Sequence, residues 1–252
     1  MLTDPWFYAV AIPAVIIVGL AKGGFGGGVS ILGVPLMALV VPPLEAAAIM
    51  LPIMIAMDIV ALGVWWRIYD RRSVTIMLPS VMVGILIGWA IAAYVTDEAV
   101  RLIVGIVALG FTLNYATRGW RDAAPKPHNF PKAVFWGTLS GFTSFVSHAG
   151  GPPMQMYLLP LRLDPKLLAG TTVLLFAIAN FVKLVPYAAL GQFSSAHLMA
   201  SLVLLPFAPL ATWFGARLVR MVSFETFYRI SYAALFVIAL KLLSDGVLGL
   251  AG

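Results

Sequence analysis

The sequence contains no cysteine, and few of its residues are charged. The missing cysteine excludes disulfide bonds, thiolate metal sites and cysteine-based catalysis. Charged residues make up 10% of the 252 positions and hydrophobic residues 62%, whereas soluble domains have about 25% charged and about 45–50% apolar residues. The composition therefore excludes an ordinary soluble domain.

The motifs of soluble enzymes are also missing. The glycine run at 23–28 fits neither G-x-G-x-x-G nor G-x-x-x-x-G-K-[ST]. Neither G-x-S-x-G nor H-E-x-x-H occurs, and the adjacent Ser147 and His148 would not face each other on a helix. We therefore expect no enzyme activity, no cofactor and no metal site.

Long apolar runs recur along the chain. Several exceed the roughly 20 residues that a helix needs to cross a bilayer, and they lack the period-2 alternation of membrane strands. This pattern predicts an all-α polytopic membrane protein whose surface contacts the lipid bilayer. The runs lie at 5–20, 29–41, 44–66, 73–95, 98–117, 133–160, 166–190, 196–216 and 226–244.

Most basic residues cluster in four groups between the apolar runs, whereas the turns at 95–99 and 190–197 contain none. The positive-inside rule places the basic groups in the cytoplasm, so the linker 118–132 is predicted to be cytoplasmic and both termini periplasmic. The net charge of +6 then reflects these loops, and no basic domain is long enough to bind nucleic acid. The four groups are Arg67, Arg71 and Arg72; Arg118, Arg121, Lys126 and Lys132; Arg162 and Lys166; and Arg217, Arg220 and Arg229.

The two halves of the chain align weakly with each other. For all the basic groups to lie on the same side of the membrane, the runs 5–41 and 133–160 must each begin and end on one membrane side. Each is therefore predicted to be a broken, re-entrant hairpin. Each half then contains one hairpin and three transmembrane helices, about eight membrane segments in total. An odd number of spans inverts the second repeat, 133–252, relative to the first, 1–117, with 118–132 as the linker. A shift of 122 pairs Gly19 with Gly141, Gly28 with Gly150, Pro43 with Pro165 and Asp58 with Asn180; a shift of 127 pairs Gly88 with Gly215 and Glu98 with Glu225.

Glycine and proline indicate where the hairpins break. Five glycines lie within 23–28, and the equivalent part of the second half reads "TSFVSHAGGPP" at 143–153. Glycine adopts backbone conformations closed to other residues, and proline suits the first turn of a new helix. Interrupted segments at equivalent positions of two halves indicate a transporter's binding site.

The chemistry at these breaks favours an anion. A helix that restarts within the membrane presents free N–H groups and a positive dipole end, and Lys22 and His148 can add charge. We predict a small oxyanion pocket near the midplane. The candidate substrate-binding residues are Lys22, Gly23, Gly24, Gly26, Gly27, Gly28, Ser30, Ser144, Ser147, His148, Gly150 and Gly151.

Other roles are open for these residues. The glycines could serve helix packing, as Gly84/Gly88 and Gly137/Gly141 are expected to do. Lys22 could extend to the headgroup region, and His148 could be a neutral, hydrogen-bonded structural residue.

Two further ionisable residues lie deep within apolar runs. Charge at such depth is costly and by default indicates function. Asp58 could carry a proton, bind a cation, or pair with Lys183 or Lys22, and its repeat partner Asn180 has the same shape without the charge. These residues are predicted to serve coupling or to form an ion pair.

Two long segments resemble the signatures of the TauE/SafE family of sulfite-exporter-like permeases: "GLAKGGFGGGVSILGVPLMALVVPPLEAAAIMLPIMIAMDI" and "GFTSFVSHAGGPPMQMYLLPLRLDPKLLAGTTVLLFAIANFVKL". The resemblance implies two four-segment repeats in the bacterial inner membrane. It also implies export of sulfur-containing anions such as sulfite, sulfonates or sulfoacetate, and it carries the family's glycine motif onto Gly23–Gly28 and Gly150–Pro153.

Three hypotheses follow for function. The first is a secondary transporter that exports a small anion by alternating access, coupled to protons through Asp58 or His148. The second is an anion channel that uses the same pocket as a filter. The third is a membrane subunit that scaffolds an enzyme. Small-residue faces could also support a homodimer, and the oligomeric state stays open.

Overall fold

The computed structural model describes residues 4–24, 33–37, 39–41, 43–91, 96–117 and 124–251, and all regular structure within them is helical. The all-α prediction is therefore confirmed for this part of the chain. The helices are α1 (Pro5–Lys22), α2 (Gly33–Met37), α3 (Pro43–Val64), α4 (Arg71–Ile91), α5 (Asp97–Thr117), α6 (Phe130–Ser147), α7 (Gly151–Leu158), α8 (Pro165–Ala189), α9 (Ser195–Leu204), α10 (Phe207–Met221) and α11 (Phe224–Ala251).

Several helices are long and apolar enough to cross a membrane. Within the described residues these are α1, α3, α4, α8 and α11, and the bent pair of α9 and α10 forms a sixth candidate span. Large apolar side chains cover their outer faces, such as Val185 (67% exposed), Leu210 (63%) and Leu248 (69%). An apolar exterior of this kind is suited to lipid, so the molecule is a polytopic helical protein.

The run 196–216, which the sequence analysis treats as one segment, forms two helices. α9 and α10 meet at an angle of 47°, and Pro206 lies at the junction. Proline provides no N–H for the preceding turn and clashes with it, which explains the bend.

Short polar side chains determine where several helices begin. The carboxylate of Asp4 accepts from Trp6 N, Asn129 Oδ1 accepts from Lys132 N, and Asp164 Oδ1 accepts from Lys166 N. Such caps satisfy N–H groups that have no partner within the helix. The Asn129 cap makes α6 begin at Phe130, three residues before the predicted start of the second repeat at 133.

The predicted second hairpin, 133–160, has an interruption between α6 and α7. His148 ends α6 in the left-handed conformation, with φ of 51°. Ser140 Oγ donates to the carbonyl of Gly150 at 2.7 Å, which satisfies a backbone group freed by the break. A Cβ at Gly150 would lie 2.7 Å from the Ser140 carbonyl oxygen, so this approach requires glycine.

The first hairpin changes direction after Lys22. Gly24 has φ of 150°, a conformation that side-chain-bearing residues rarely adopt. The chain is described again from Gly33, where α2 begins. The predicted site residues Gly26, Gly27, Gly28 and Ser30 lie outside the described residues.

Helices of the two halves pack closely against each other. α4 packs along α6, α1 along α10, α5 along α11 and α3 along α8. A Cβ on Gly137 would lie 2.9 Å from Ser80 Cβ, and one on Gly19 would lie 2.6 Å from Ala211 Cβ. Glycine therefore allows these pairs to approach, as in small-residue membrane interfaces.

Described members of the basic groups lie at one end of the helix bundle. Arg220 Nη2 donates to the Val64 carbonyl at 2.7 Å, which joins the turn after α10 to the turn after α3. The Arg162 guanidinium lies 5.4 Å from the centre of the Phe224 ring, and Lys126 N donates to the Pro160 carbonyl. The turn after α7 and the described part of the linker therefore share this face.

Candidate functional site

A small cavity lies between the ends of α1 and α6, the start of α7, and helices α3 and α8. About 30 Å³ is open to the centre of a water-sized sphere, and one water needs about 10–15 Å³ on this scale. The cavity is therefore large enough for about two waters. It is lined by Lys22, Gly24, Met54, Asp58, Ser144, His148, Gly151, Ala169, Thr172, Val173, Phe176, Asn180 and Lys183.

Lys22 and Asp58 form a buried ion pair. The Lys22 ammonium donates to Asp58 Oδ1, and the two side chains are 7% and 2% exposed. Lys22 lies in the last turn of α1, where the negative end of the helix dipole also favours a cation. It thus points into the protein rather than toward the membrane surface.

Asn180 forms a hydrogen bond with the second oxygen of the same carboxylate. Its Nδ2 donates to Asp58 Oδ2 at 2.7 Å, so Lys22 and Asn180 hold both carboxylate oxygens. A buried charge is tolerated only when it is paired and hydrogen-bonded. These contacts hold the Asp58 carboxylate in position.

Lys183 is buried in a different way. It is 1% exposed, and its Nζ donates to Ser144 Oγ at 3.1 Å and to the Ser144 carbonyl at 3.2 Å. No carboxylate in the described part of the chain forms an ion pair with it. An ammonium has three donors, so one remains for a ligand in the cavity.

His148, at the break between α6 and α7, also lines the cavity. Its Nε2 lies 2.7 Å from the Tyr187 hydroxyl, and the two rings meet edge to face. The left-handed backbone at His148 directs this ring toward the end of α8.

The first turn of α7 completes the cavity wall. Gly151, its first residue, lines the cavity, and Pro152 and Pro153 follow without N–H groups. The positive end of the α7 dipole therefore lies beside Lys183 and Ser144, and both features favour a negative charge.

Other predicted residues lie outside the cavity lining. Gly23 packs against α10, where a Cβ would lie 2.7 Å from the Gly215 carbonyl carbon, and its carbonyl accepts from Trp65 Nε1 at 2.7 Å. Gly150 packs against α6. The side chain of Ser147 lies outside the described residues.

Sequence reasoning missed Thr172 and Phe176, which line the cavity from α8. Their positions continue the helical face of Asn180 and Lys183 at spacings of three and four, and that periodicity was a usable signal. It also missed Trp65 and Tyr187, because their partners come from distant segments of the chain.

Within the described ranges, no three histidine or carboxylate side chains gather closely enough to coordinate an ion, as a structural metal site requires. The cavity instead combines ammonium, hydroxyl and amide donors with one neutralised carboxylate. This set of groups can bind a small anion.

Known proteins resemble this chain along most of its length. Residues 11–242 match the family described as sulfite exporter TauE/SafE. Over 241 residues the chain is 27% identical to a protein of Cupriavidus necator named "Probable sulfite/organosulfonate exporter TauE", and the match covers 89% of this chain and 88% of that protein. No solved structure matches the chain. Because the family match extends over most of the chain, the protein belongs to the TauE/SafE family of sulfite exporters.

Proposed function

We propose that the protein is a secondary transporter that exports a small sulfur-containing anion, such as sulfite or a sulfonate, by alternating access. The observation that carries this proposal is the buried ammonium of Lys183, which lines the cavity without a carboxylate partner among the described residues. An uncompensated buried cation is costly. A bound anion removes that cost, and this explains why the site holds the charge.

The roles of the two lysines differ in this proposal. Lys183 is the primary anion contact, since its charge is not offset by an ion pair. Lys22 holds Asp58 in place, and its charge is already balanced. The hydroxyl of Ser144 and the first turn of α7 add donors beside Lys183. Asp58 and His148 are the candidates for proton coupling.

Helix packing supports the inverted-repeat architecture. If α1 corresponds to α6 and α4 to α10, the pairing of α1 with α10 maps onto the pairing of α6 with α4. In the same scheme α3 corresponds to α8 and α5 to α11, so each of these two helix contacts is its own equivalent. A pseudo-twofold axis between two halves produces this pattern, with about four membrane segments in each half.

The proposed orientation follows from the shared basic end of the bundle. The positive-inside rule places that end in the cytoplasm of a bacterium and the opposite end, with His197 and Glu45, in the periplasm. His197 Nε2 lies 3.5 Å from Glu45 Oε2, which joins α9 to the start of α3. Both chain termini are then periplasmic, and the protein lies in the inner membrane.

Two aromatic residues suggest how the cavity opens alternately. Trp65 at the end of α3 holds the end of α1 through the Gly23 carbonyl, and Tyr187 at the end of α8 holds His148. They are 122 positions apart, the offset of the proposed repeat, and they lie toward opposite ends of the bundle. Release of one contact at a time would open the cavity to one side, which favours a carrier over a channel.

Efflux from proteoliposomes tests the proposal. We expect the wild-type protein to release trapped sulfite or methanesulfonate, and Lys183→Met to reduce that rate at least about tenfold through loss of the anion contact. The matched control is Lys241→Met, because Lys241 is exposed and pairs with Asp245 one helical turn away. Wild-type efflux by Lys183→Met would contradict the assigned role, and large single-channel currents would favour the channel.

A further inference from the structure

We infer that the cavity is selective for anions with a single negative charge, such as hydrogen sulfite and short-chain sulfonates, over dianions such as sulfate. The inference rests on the proposed function and specifies the class of its substrate. It follows from the balance of charge around the cavity.

Four titratable side chains line the cavity: Lys22 from α1, Asp58 from α3, His148 after α6 and Lys183 from α8. Lys22 and Asp58 cancel as an ion pair. A positive charge on His148 would add to two lysines with no further carboxylate to offset it, so we count the ring as neutral. Lys183, which is protonated when it holds an anion, then gives the site one positive charge.

The net charge of a buried site determines which ligand charge it binds best. A monoanion brings the site to zero, whereas a dianion leaves one uncompensated negative charge. Because charge interactions are stronger in a low-dielectric interior than in water, that residual charge is a substantial penalty. The empty site, with its excess positive charge, is also less favourable than the monoanion complex.

Asp58 sets the net charge of the site by balancing Lys22. Lys22 and Asn180 each hold one of its oxygens, so the carboxylate cannot turn away when a ligand enters. Lys183 lines the same cavity as this pair. With Asp58 already balancing Lys22, a second negative charge on the ligand would have no cation to offset it.

The remaining wall suits a short organic substituent. Met54, Ala169, Val173 and Phe176 line the cavity with apolar atoms. A sulfonate can direct its three oxygens to Lys183, Ser144 and the start of α7, and its alkyl group to this wall. The cavity is small, so we expect it to accept only a short alkyl group without a second charge, and sulfoacetate should be a poor substrate.

Methanesulfonate and sulfate provide the direct test, since both are tetrahedral, similar in size, and different in charge. We expect reconstituted full-length protein to transport methanesulfonate at least about tenfold faster than sulfate. Asp58→Asn adds one positive charge to the site and should lower that ratio at least about tenfold. Glu225→Gln is the control, because Glu225 is exposed and pairs with Arg229.

A charge-conserving double variant separates charge from folding. Lys22→Met combined with Asp58→Asn removes one charge of each sign and keeps the net charge of the site at +1. We expect it to retain the wild-type preference for methanesulfonate. If Asp58→Asn does not fold, the wild-type ratio and this double variant still test the inference.

Sulfite offers a second readout through its own protonation. Near neutral pH it changes from hydrogen sulfite to the dianion as pH rises, whereas methanesulfonate stays a monoanion. Sulfite transport, divided by methanesulfonate transport at the same pH, should therefore fall as pH rises through that range. This ratio cancels any titration of Lys22, Asp58, His148 or Lys183 that affects both substrates equally.

The outcomes distinguish the two proposals. If the wild type transports neither anion nor sulfite, both the proposed function and this inference are rejected. If it transports sulfate as fast as methanesulfonate, the charge inference is overturned while the transporter stands. An unchanged ratio in Asp58→Asn would overturn the role of that carboxylate in setting the net charge of the site.

Discussion

The amide nitrogen of Asn180 donates a 2.7 Å hydrogen bond to Oδ2 of Asp58, which lies 122 residues earlier in the sequence. Residues related by a twofold axis can contact each other only close to that axis. If the proposed axis relates the two halves, this hydrogen bond places it between α3 and α8, beside the cavity. Residues from both halves line this one cavity.

The effects of replacing Lys22 and Asp58 on the free energy of unfolding should be strongly coupled. Lys22→Met leaves a buried carboxylate with no cation, and Asp58→Asn leaves a buried ammonium with no anion, so each should destabilise the fold by about 3–5 kcal/mol. The double variant should lose much less than the sum. Denaturant unfolding in detergent micelles measures the three values, and simple additivity would contradict a direct ion pair.

The close contact of α4 with α6 should tolerate no added methyl group. Gly137→Ala would bring a Cβ within 2.9 Å of Ser80 Cβ, and overpacking of this kind costs about 1–3 kcal/mol. Gly110→Ala is the matched control, because a Cβ there has open space around it and alanine favours the helix. We expect the melting temperature to fall for the first variant and to stay equal or rise for the second.

The two aromatic contacts should control access from opposite sides. Since the chain has no native cysteine, Ser144→Cys introduces a single thiol into the cavity wall. Adding Tyr187→Phe should increase several-fold the labelling of this thiol by an impermeant reagent applied from the periplasmic side. Adding Trp65→Phe should instead increase its labelling from the cytoplasmic side. Equal effects on both sides would contradict separate closures.

Membrane orientation can be measured with the same cysteine-free background. Ser195 and Ser223 are exposed residues at opposite ends of the bundle, and each can be replaced by cysteine. In intact cells whose outer membrane is permeable to the reagent, Ser195→Cys should react and Ser223→Cys should react only after lysis. The reverse pattern would place the basic end outside.

Much of the fold follows from local sequence patterns. Apolar runs longer than a bilayer crossing predict helices regardless of how those helices pack, and the glycines and prolines at 148–153 predict an interruption because they weaken or block a helix locally. The bend at Pro206 also had a local signal, but the apolar run continued through it and concealed the junction.

The site was only partly predictable. Lys22, Asp58, Ser144, His148, Asn180 and Lys183 are conspicuous as polar residues within apolar segments, and all six line one cavity. The sequence left open which lysine pairs with Asp58, because both lie at depths compatible with the pairing. It gave no indication that Trp65 reaches the Gly23 carbonyl or that Tyr187 reaches His148.

By itself, the sequence determined a helical membrane protein with two interrupted segments, basic turns on one side and a few costly intramembrane charges. These properties depend on the chemistry of neighbouring residues, which can be read along the chain. Only the tertiary structure decided that Asp58 pairs with Lys22 and that Lys183 has no carboxylate partner among the described residues. That choice depends on how α1, α3, α6 and α8 cross, and the crossing is set by packing between segments that lie from 36 to 122 residues apart in the sequence.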